Sequence, residues 1–136
     1  MTAFDRQRVI VRPGRCIVMR VVGIDPSLTA TGIADADGAL FTITSKPDDG
    51  TVADRARRIA TITAHLRPHR LTDAHLVVIE GPAFSRQGQA GVHLRAGLWW
   101  RIVGLLHSAG VPVAEVSPSA LKKYATGKGN ATKTAM

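Results

Sequence analysis

A chain of 136 residues and 14.5 kDa is one domain, which excludes an enzyme with a separate cofactor domain. Hydrophobic residues make up 45% and aromatics only 4%, so Ala, Val, Ile and Leu must fill the core, while the single cysteine, Cys16, excludes a disulfide framework or a cysteine zinc site. The net charge of +8 is lopsided: residues 1–80 hold 11 basic and 9 acidic residues, residues 81–136 hold 7 basic and one acidic, and such a basic half points to a polyanion such as nucleic acid.

In chain order, residues 1–18 carry Arg6, Arg8, Arg12 and Arg15 without a clear period. They read as a basic extension, with Met19 as an alternative start and residues 8–11 as an alternative edge strand. Residues 19–25 form a clean strand ending at Asp25, and Pro26 and Ser27 make a turn. Two further strands, 31–36 and 39–44, flank Asp37-Gly38, a hairpin signal. Apolar residues at 52, 56, 59, 62 and 66 predict a helix, with Asp54 and Arg58 spaced as a surface pair, and Pro68 ends it.

Residues 75–80 form a buried strand ending at Glu80, and residues 81–91 a loop rich in Gly, Ser and Gln. A helix follows over 92–108, stopped by Gly110, then a strand over 111–116. Trp99 and Trp100 are about 100° apart on that helix, so one goes to the core and the other to a surface such as a subunit interface. Ser117-Pro118 opens a short helix over 119–124, residues 126–129 turn, and Asn130 caps a helix cut at Met136. No apolar run reaches the roughly 20 residues that span a bilayer. The expectation is a soluble cytoplasmic protein with no membrane partner.

Asp25 and Glu80 each end an apolar strand, and α/β sheets build sites at the C-terminal ends of parallel strands. Singly, Asp25 reads better as the cap of a turn before Pro26, and Glu80 as a solvated strand end. Together, on adjacent parallel strands, they would repel unless a cation lay between them, and a hard divalent ion such as Mg²⁺ takes oxygen ligands. Lys122, Lys123, Lys128 and Lys133 have no acid among them and suit phosphate contacts. Phe84, with Arg86 beside it, lies in a loop where an aromatic can stack on an unpaired base or fold back on the core. The P-loop spacing is absent, so no nucleotide cofactor is expected. His65, His69, His75, His93 and His107 show no metal-ligand spacing.

The segment Val22-Gly23-Ile24-Asp25-Pro26-Ser27 followed by Thr31-Gly32 resembles the first motif of the RuvC family of Holliday junction resolvases. Val78-Ile79-Glu80 resembles the second, and residues 121–133, with their lysines, resemble a segment of phage and actinobacterial members. The resemblance covers residues 19–136, taken as the nuclease domain. It implies an α/β fold of the ribonuclease H type: a mixed sheet, with a three-strand antiparallel meander extended by parallel strands, and flanking helices. It also implies a homodimer and Mg²⁺-dependent nicking of four-way DNA junctions, with Mn²⁺ as a substitute ion.

By the same resemblance, Asp25, Glu80, Lys122 and Lys133 are catalytic, and Asp25 and Glu80 hold the metal. The DNA-contacting set adds to Lys122 and Lys133 the loop aromatic Phe84, which lies where the family has an aromatic, and, from the basic and loop readings above, Arg86, Lys123 and Lys128. The family adds one or two carboxylates on a C-terminal helix, whereas after Glu80 this chain has only Glu115, in a strand. The expectation is therefore a fold truncated at that helix, with poor or no cutting. Competing readings are a non-catalytic binder of branched DNA and a fragment of an actin-like ATPase.

Overall fold

The computed structural model describes residues 9–12, 15–47, 50–67, 71–82 and 91–127. Strands β1 (Val9–Arg12) and β2 (Arg15–Val18) pair antiparallel as a two-stranded sheet of their own. The expected edge strand near residues 8–11 therefore exists, but it pairs within its own hairpin and not with the main sheet.

The main sheet has five strands: β3 (Val21–Asp25), β4 (Ala30–Ala34), β5 (Leu40–Thr44), β6 (Leu76–Glu80) and β7 (Val113–Val116). Their order is β5-β4-β3-β6-β7. The β3–β4 and β4–β5 pairs are antiparallel, and the β3–β6 and β6–β7 pairs are parallel. This is the expected meander extended by parallel strands. The β4–β5 turn forms at the expected Asp37-Gly38: Gly38 adopts φ +87°, its N–H donates to the Asp35 carbonyl at 3.0 Å, and the Ala39 N–H donates to Asp37 Oδ1 at 2.9 Å.

Helices α1 (Val52–Leu66), α2 (Val92–Ser108) and α3 (Pro118–Thr126) follow the predicted spacing. Alternation along the strands divides the sheet into two faces. Val22, Ile24, Ile33, Ile43, Val77 and Ile79 are buried on one face, in a single core with Ile62 and Leu66 of α1 and Leu98, Ile102 and Leu106 of α2. With so few aromatics, branched aliphatic side chains fill this layer.

Local chemistry fixes how α1 starts. Thr51 is its N-cap, and its hydroxyl accepts the Asp54 N–H at 3.1 Å. The same hydroxyl and then Arg57 hydrogen-bond the Asp54 carboxylate and hold its pKa below the ordinary value. Because the folded pKa is depressed, this contribution to stability is present above the unfolded pKa and is lost as pH falls through the folded one. Thr51→Ala is expected to cost about 1 kcal/mol in urea unfolding at neutral pH, and an unchanged midpoint would exclude the cap.

The expected Asp54–Arg58 pair does not form. Asp54 bonds Arg57 at 2.6 Å. Arg58 faces the sheet instead, donating to Ser45 Oγ at 2.9 Å and to the Leu28 carbonyl at 2.7 Å. Two acceptors in fixed positions take the guanidinium, while the Asp54 carboxylate is already held by Thr51 and Arg57.

Candidate active site

The strands that carry the two acids lie side by side. In the β3–β6 register Gly23 lies level with Val78 and Ile24 with Ile79. One further step places Asp25 level with Glu80, and neighbouring strands are about 4.8 Å apart. Both residues fall on the sheet face opposite α1 and α2, because Ile24 and Ile79 occupy the core face. Asp25 and Glu80 line one cavity of about 400 Å³ on that face, with Gly23, Ala34, Leu40, Thr42, Val78 and Val116 as much of its floor and Leu121 of α3 at its side. Two carboxylates at the end of an otherwise apolar trough are the chief polar feature of that surface.

Small residues keep the trough open. A Cβ on Gly32, the residue opposite Asp25 in the β3–β4 pair, would lie 3.8 Å from the Asp25 Cβ. Any longer side chain there would crowd the carboxylate.

The loop after Asp25 is held from below. Thr31 is fully buried; its hydroxyl accepts the Ser27 N–H at 3.1 Å and donates to the Ser27 carbonyl at 2.7 Å. The Arg58 bond to the Leu28 carbonyl closes the same loop onto α1. Thr31→Val keeps the shape but leaves both Ser27 backbone groups without this partner. It should destabilise the chain by about 1–3 kcal/mol in urea unfolding. A midpoint equal to wild type would mean that water replaces the hydroxyl.

Glu115 does not join the pair. It lies level with Ile79 in β7, on the helix-covered face, where its carboxylate packs against the Gly81 Cα. Among the described residues, no three His, Cys, Asp or Glu side chains come together as a metal cluster. Two carboxylates nevertheless fit a hard divalent ion, since Mg²⁺ commonly keeps several waters and takes one or two protein carboxylates. The chemistry of the donor set, oxygen only, suits Mg²⁺ or Mn²⁺ and not a soft metal.

Lys122 and Lys123 lie on α3, beside the cavity-lining Leu121. Lys122 is half-buried and Lys123 exposed. Phe84, Arg86, Lys128 and Lys133 lie outside the described residues. Helix α3 runs to Thr126, two residues past its expected end, and stops where Gly127 adopts φ +76° and donates its N–H to the Lys123 carbonyl at 2.8 Å.

Sequence reasoning missed what holds the Glu80 backbone. The Trp99 indole N–H donates to the Glu80 carbonyl at 3.0 Å. The helical period assigned one tryptophan to the core, and Trp99 is indeed buried while Trp100 is 66% exposed. Nothing in the pattern names the acceptor.

Comparison with known proteins decides the lineage. The crossover junction endodeoxyribonuclease RuvC of Burkholderia cenocepacia (strain HI2424) is 35% identical over 125 residues, covering 87% of this chain and 67% of the relative. The chain belongs to the RuvC family. The Cutibacterium acnes RuvC is 32% identical over 124 residues, covering 85% of this chain and 62% of its own length. Thermus thermophilus RuvC superposes with a TM-score of 0.59 at 24% identity, covering 86% of this chain and 75% of that one, and so supports the shared fold. No protein-family model matches the chain. RuvC membership accords with the mixed five-strand sheet and its flanking helices. No helix among the described residues is long and apolar enough to cross a membrane.

Proposed function

We propose that this RuvC-family chain is an endonuclease that nicks branched DNA, four-way junctions above all, by metal-dependent phosphodiester hydrolysis. The observation that carries the reading is the pairing of β3 with β6, which brings Asp25 and Glu80 level on one face of the sheet. Asp25 and Glu80 are the residues that would hold Mg²⁺, with Mn²⁺ as a substitute. A divalent ion bound there supplies activation of water and stabilisation of the leaving oxygen in phosphodiester cleavage.

The chain's own residues supply the rest. Asp25 and Glu80 provide negative charge at a fixed place, beside a floor that includes the apolar side chains of Val78, Leu40 and Val116. Lys122, with Lys133 in the same basic segment, offers ammonium groups to steady a cleaved phosphate. Lys123, Lys128, Arg86 and Phe84 belong to the DNA-contacting set, the cations for phosphates and the ring for stacking on an unpaired base.

Residues 19–136 form the nuclease domain in this reading, and residues 1–18 a basic extension. The working unit is a homodimer, because two cuts across one junction call for two sites. Exposed Trp100 lines a groove with Leu105, Arg101 and Arg67 that offers a mixed apolar and basic contact surface for a second copy. A cytoplasmic location fits a DNA-acting chain whose single cysteine needs no oxidising compartment.

The test is nicking of a synthetic four-way junction with Mg²⁺ present or chelated, against linear duplex of the same sequence. Whatever cutting the chain performs, weak as two carboxylates alone would make it, is expected to need the metal and to be confined to the branched substrate; equal cutting of both substrates would exclude the junction reading.

A further inference from the structure

We infer that Trp99 is a positioning residue for Glu80, acting through the Glu80–Gly81 peptide group. The inference rests on the reading of Glu80 as a metal-holding carboxylate. Trp99 never reaches the open face itself. It lies in α2 on the other side of the sheet, 8% exposed, among the core residues Leu98 and Ile102.

Both polar groups of one peptide unit are occupied at the point where β6 ends. The carbonyl of Glu80 accepts the Trp99 indole N–H at 3.0 Å. The N–H of the same unit, carried by Gly81, donates to the Val116 carbonyl of β7 at 2.8 Å. These two partners approach from different elements, α2 and β7, and together they fix the plane of the peptide. Fixing that plane sets ψ of Glu80, the torsion about its Cα–C bond, and with it how Cβ is aimed relative to the strand. The Glu115 carboxylate also lies over Gly81, where a Cβ would overlap it.

The two bonds sit where they matter for the acid. Glu80 is the last residue of β6 and pairs with Val116 in the final rung of the β6–β7 ladder. A strand end without such bonds frays, and a carboxylate carried on a fraying end spreads over many positions. Metal sites depend on groups that orient their ligands, and loss of an orienting partner typically weakens metal affinity 10–100-fold. The indole is suited to the role because it has one donor, no acceptor and a rigid ring already fixed by packing. The Trp100 ring meets it edge to face, with centroids 4.8 Å apart and planes at 89°, and so limits its swing.

The experiment compares Trp99→Phe, which keeps an aromatic ring and removes the N–H, with Ile102→Val, a core change on the same helix with no bond to β6. Free Mn²⁺ is titrated by electron paramagnetic resonance against the full chain. Trp99→Phe is expected to weaken Mn²⁺ binding roughly tenfold and to raise the Mg²⁺ needed for half-maximal nicking in proportion. Junction affinity in Ca²⁺ should stay at the wild-type value. Ile102→Val should keep wild-type Mn²⁺ affinity even though it lowers the thermal midpoint.

Unchanged Mn²⁺ affinity in Trp99→Phe, or an equal loss in Ile102→Val, would overturn the inference and leave Trp99 as core alone. Should Trp99→Phe fail to fold, the indole ¹H–¹⁵N resonance of wild type decides. It is expected to shift on adding Mg²⁺ and to stay fixed in Glu80→Gln; a resonance indifferent to Mg²⁺ in wild type overturns the link. Glu80→Gln also separates the two readings. If it binds Mn²⁺ as wild type does, the metal reading falls and takes this inference with it. If it weakens Mn²⁺ binding while Trp99→Phe does not, only the role of Trp99 falls.

Discussion

Asp25→Asn is expected to reduce Mg²⁺-dependent nicking of a four-way junction by about 10³-fold or more while leaving junction affinity within about twofold, the several kcal/mol that metal-ion catalysis supplies. The substitution is nearly isosteric, so the reasons for a selective effect are electrostatic. Asp25 is exposed at the end of β3, and it lies level with Glu80 in the neighbouring strand. Asparagine keeps an oxygen donor but removes the charge. A divalent ion facing one carboxylate in place of two loses about half its counter-charge from the protein. Binding of the junction draws on lysines elsewhere and not on this acid; removing a negative charge from a DNA-facing surface should if anything tighten it. Glu80→Gln should behave alike, since neither acid holds the ion alone, and the double variant should be little worse than either single one. Wild-type cutting by Asp25→Asn would sink the metal assignment. Loss of cutting and binding together, with a lowered thermal midpoint, would point to a structural role for Asp25 in the loop that Thr31 and Arg58 hold.

How much of this was legible in the sequence depends on how local each feature is. Helices α1 and α2 match their predicted limits residue for residue, α1 because an apolar stripe of period 3.6 is a local signal and α2 because a polar, glycine-bearing loop precedes it and Gly110 stops it. Strand β3 begins two residues later than its apolar run suggests. The Arg20 N–H is taken by the His75 ring at 3.1 Å, so residue 20 does not enter the regular ladder. The placement of Asp25 and Glu80 at strand ends was readable from the chain, but their juxtaposition needed the parallel pairing of strands 55 positions apart in sequence.

Side-chain partners chosen across the fold were not readable at all. Arg58 turned to the Leu28 carbonyl 30 residues away instead of the acid four positions before it. The indole of Trp99 found the Glu80 carbonyl 19 residues earlier. Periodicity reports which side of a helix is buried; it is silent on which buried polar atom waits there.

The second large effect concerns affinity and salt. Lys122, Lys123, Lys128 and Lys133 fall within a segment that carries no acid. Four phosphate contacts would give a slope near −3.6 for log affinity against log salt, which is about a 10²-fold loss of binding between 50 and 200 mM salt. The two lysines on α3 should differ in kind. Lys123 is exposed, so Lys123→Ala should flatten the slope by about one unit with no change in thermal midpoint. Lys122 is half-buried beside Leu121, which lines the trough that holds the acids. Its methylene stem packs as well as carrying charge, so Lys122→Ala should flatten the slope and lower the midpoint together, whereas Lys122→Met should flatten the slope alone. Of the two, only Lys122 should also lower the nicking rate at saturating junction, because only it is assigned to the cleaved phosphate. The measurement is a set of junction-binding isotherms at four salt concentrations for wild type and each variant. Slopes that coincide across all of them would remove α3 from the DNA interface, and a larger rate defect in Lys123→Ala than in Lys122→Met would reverse the roles assigned to the two lysines.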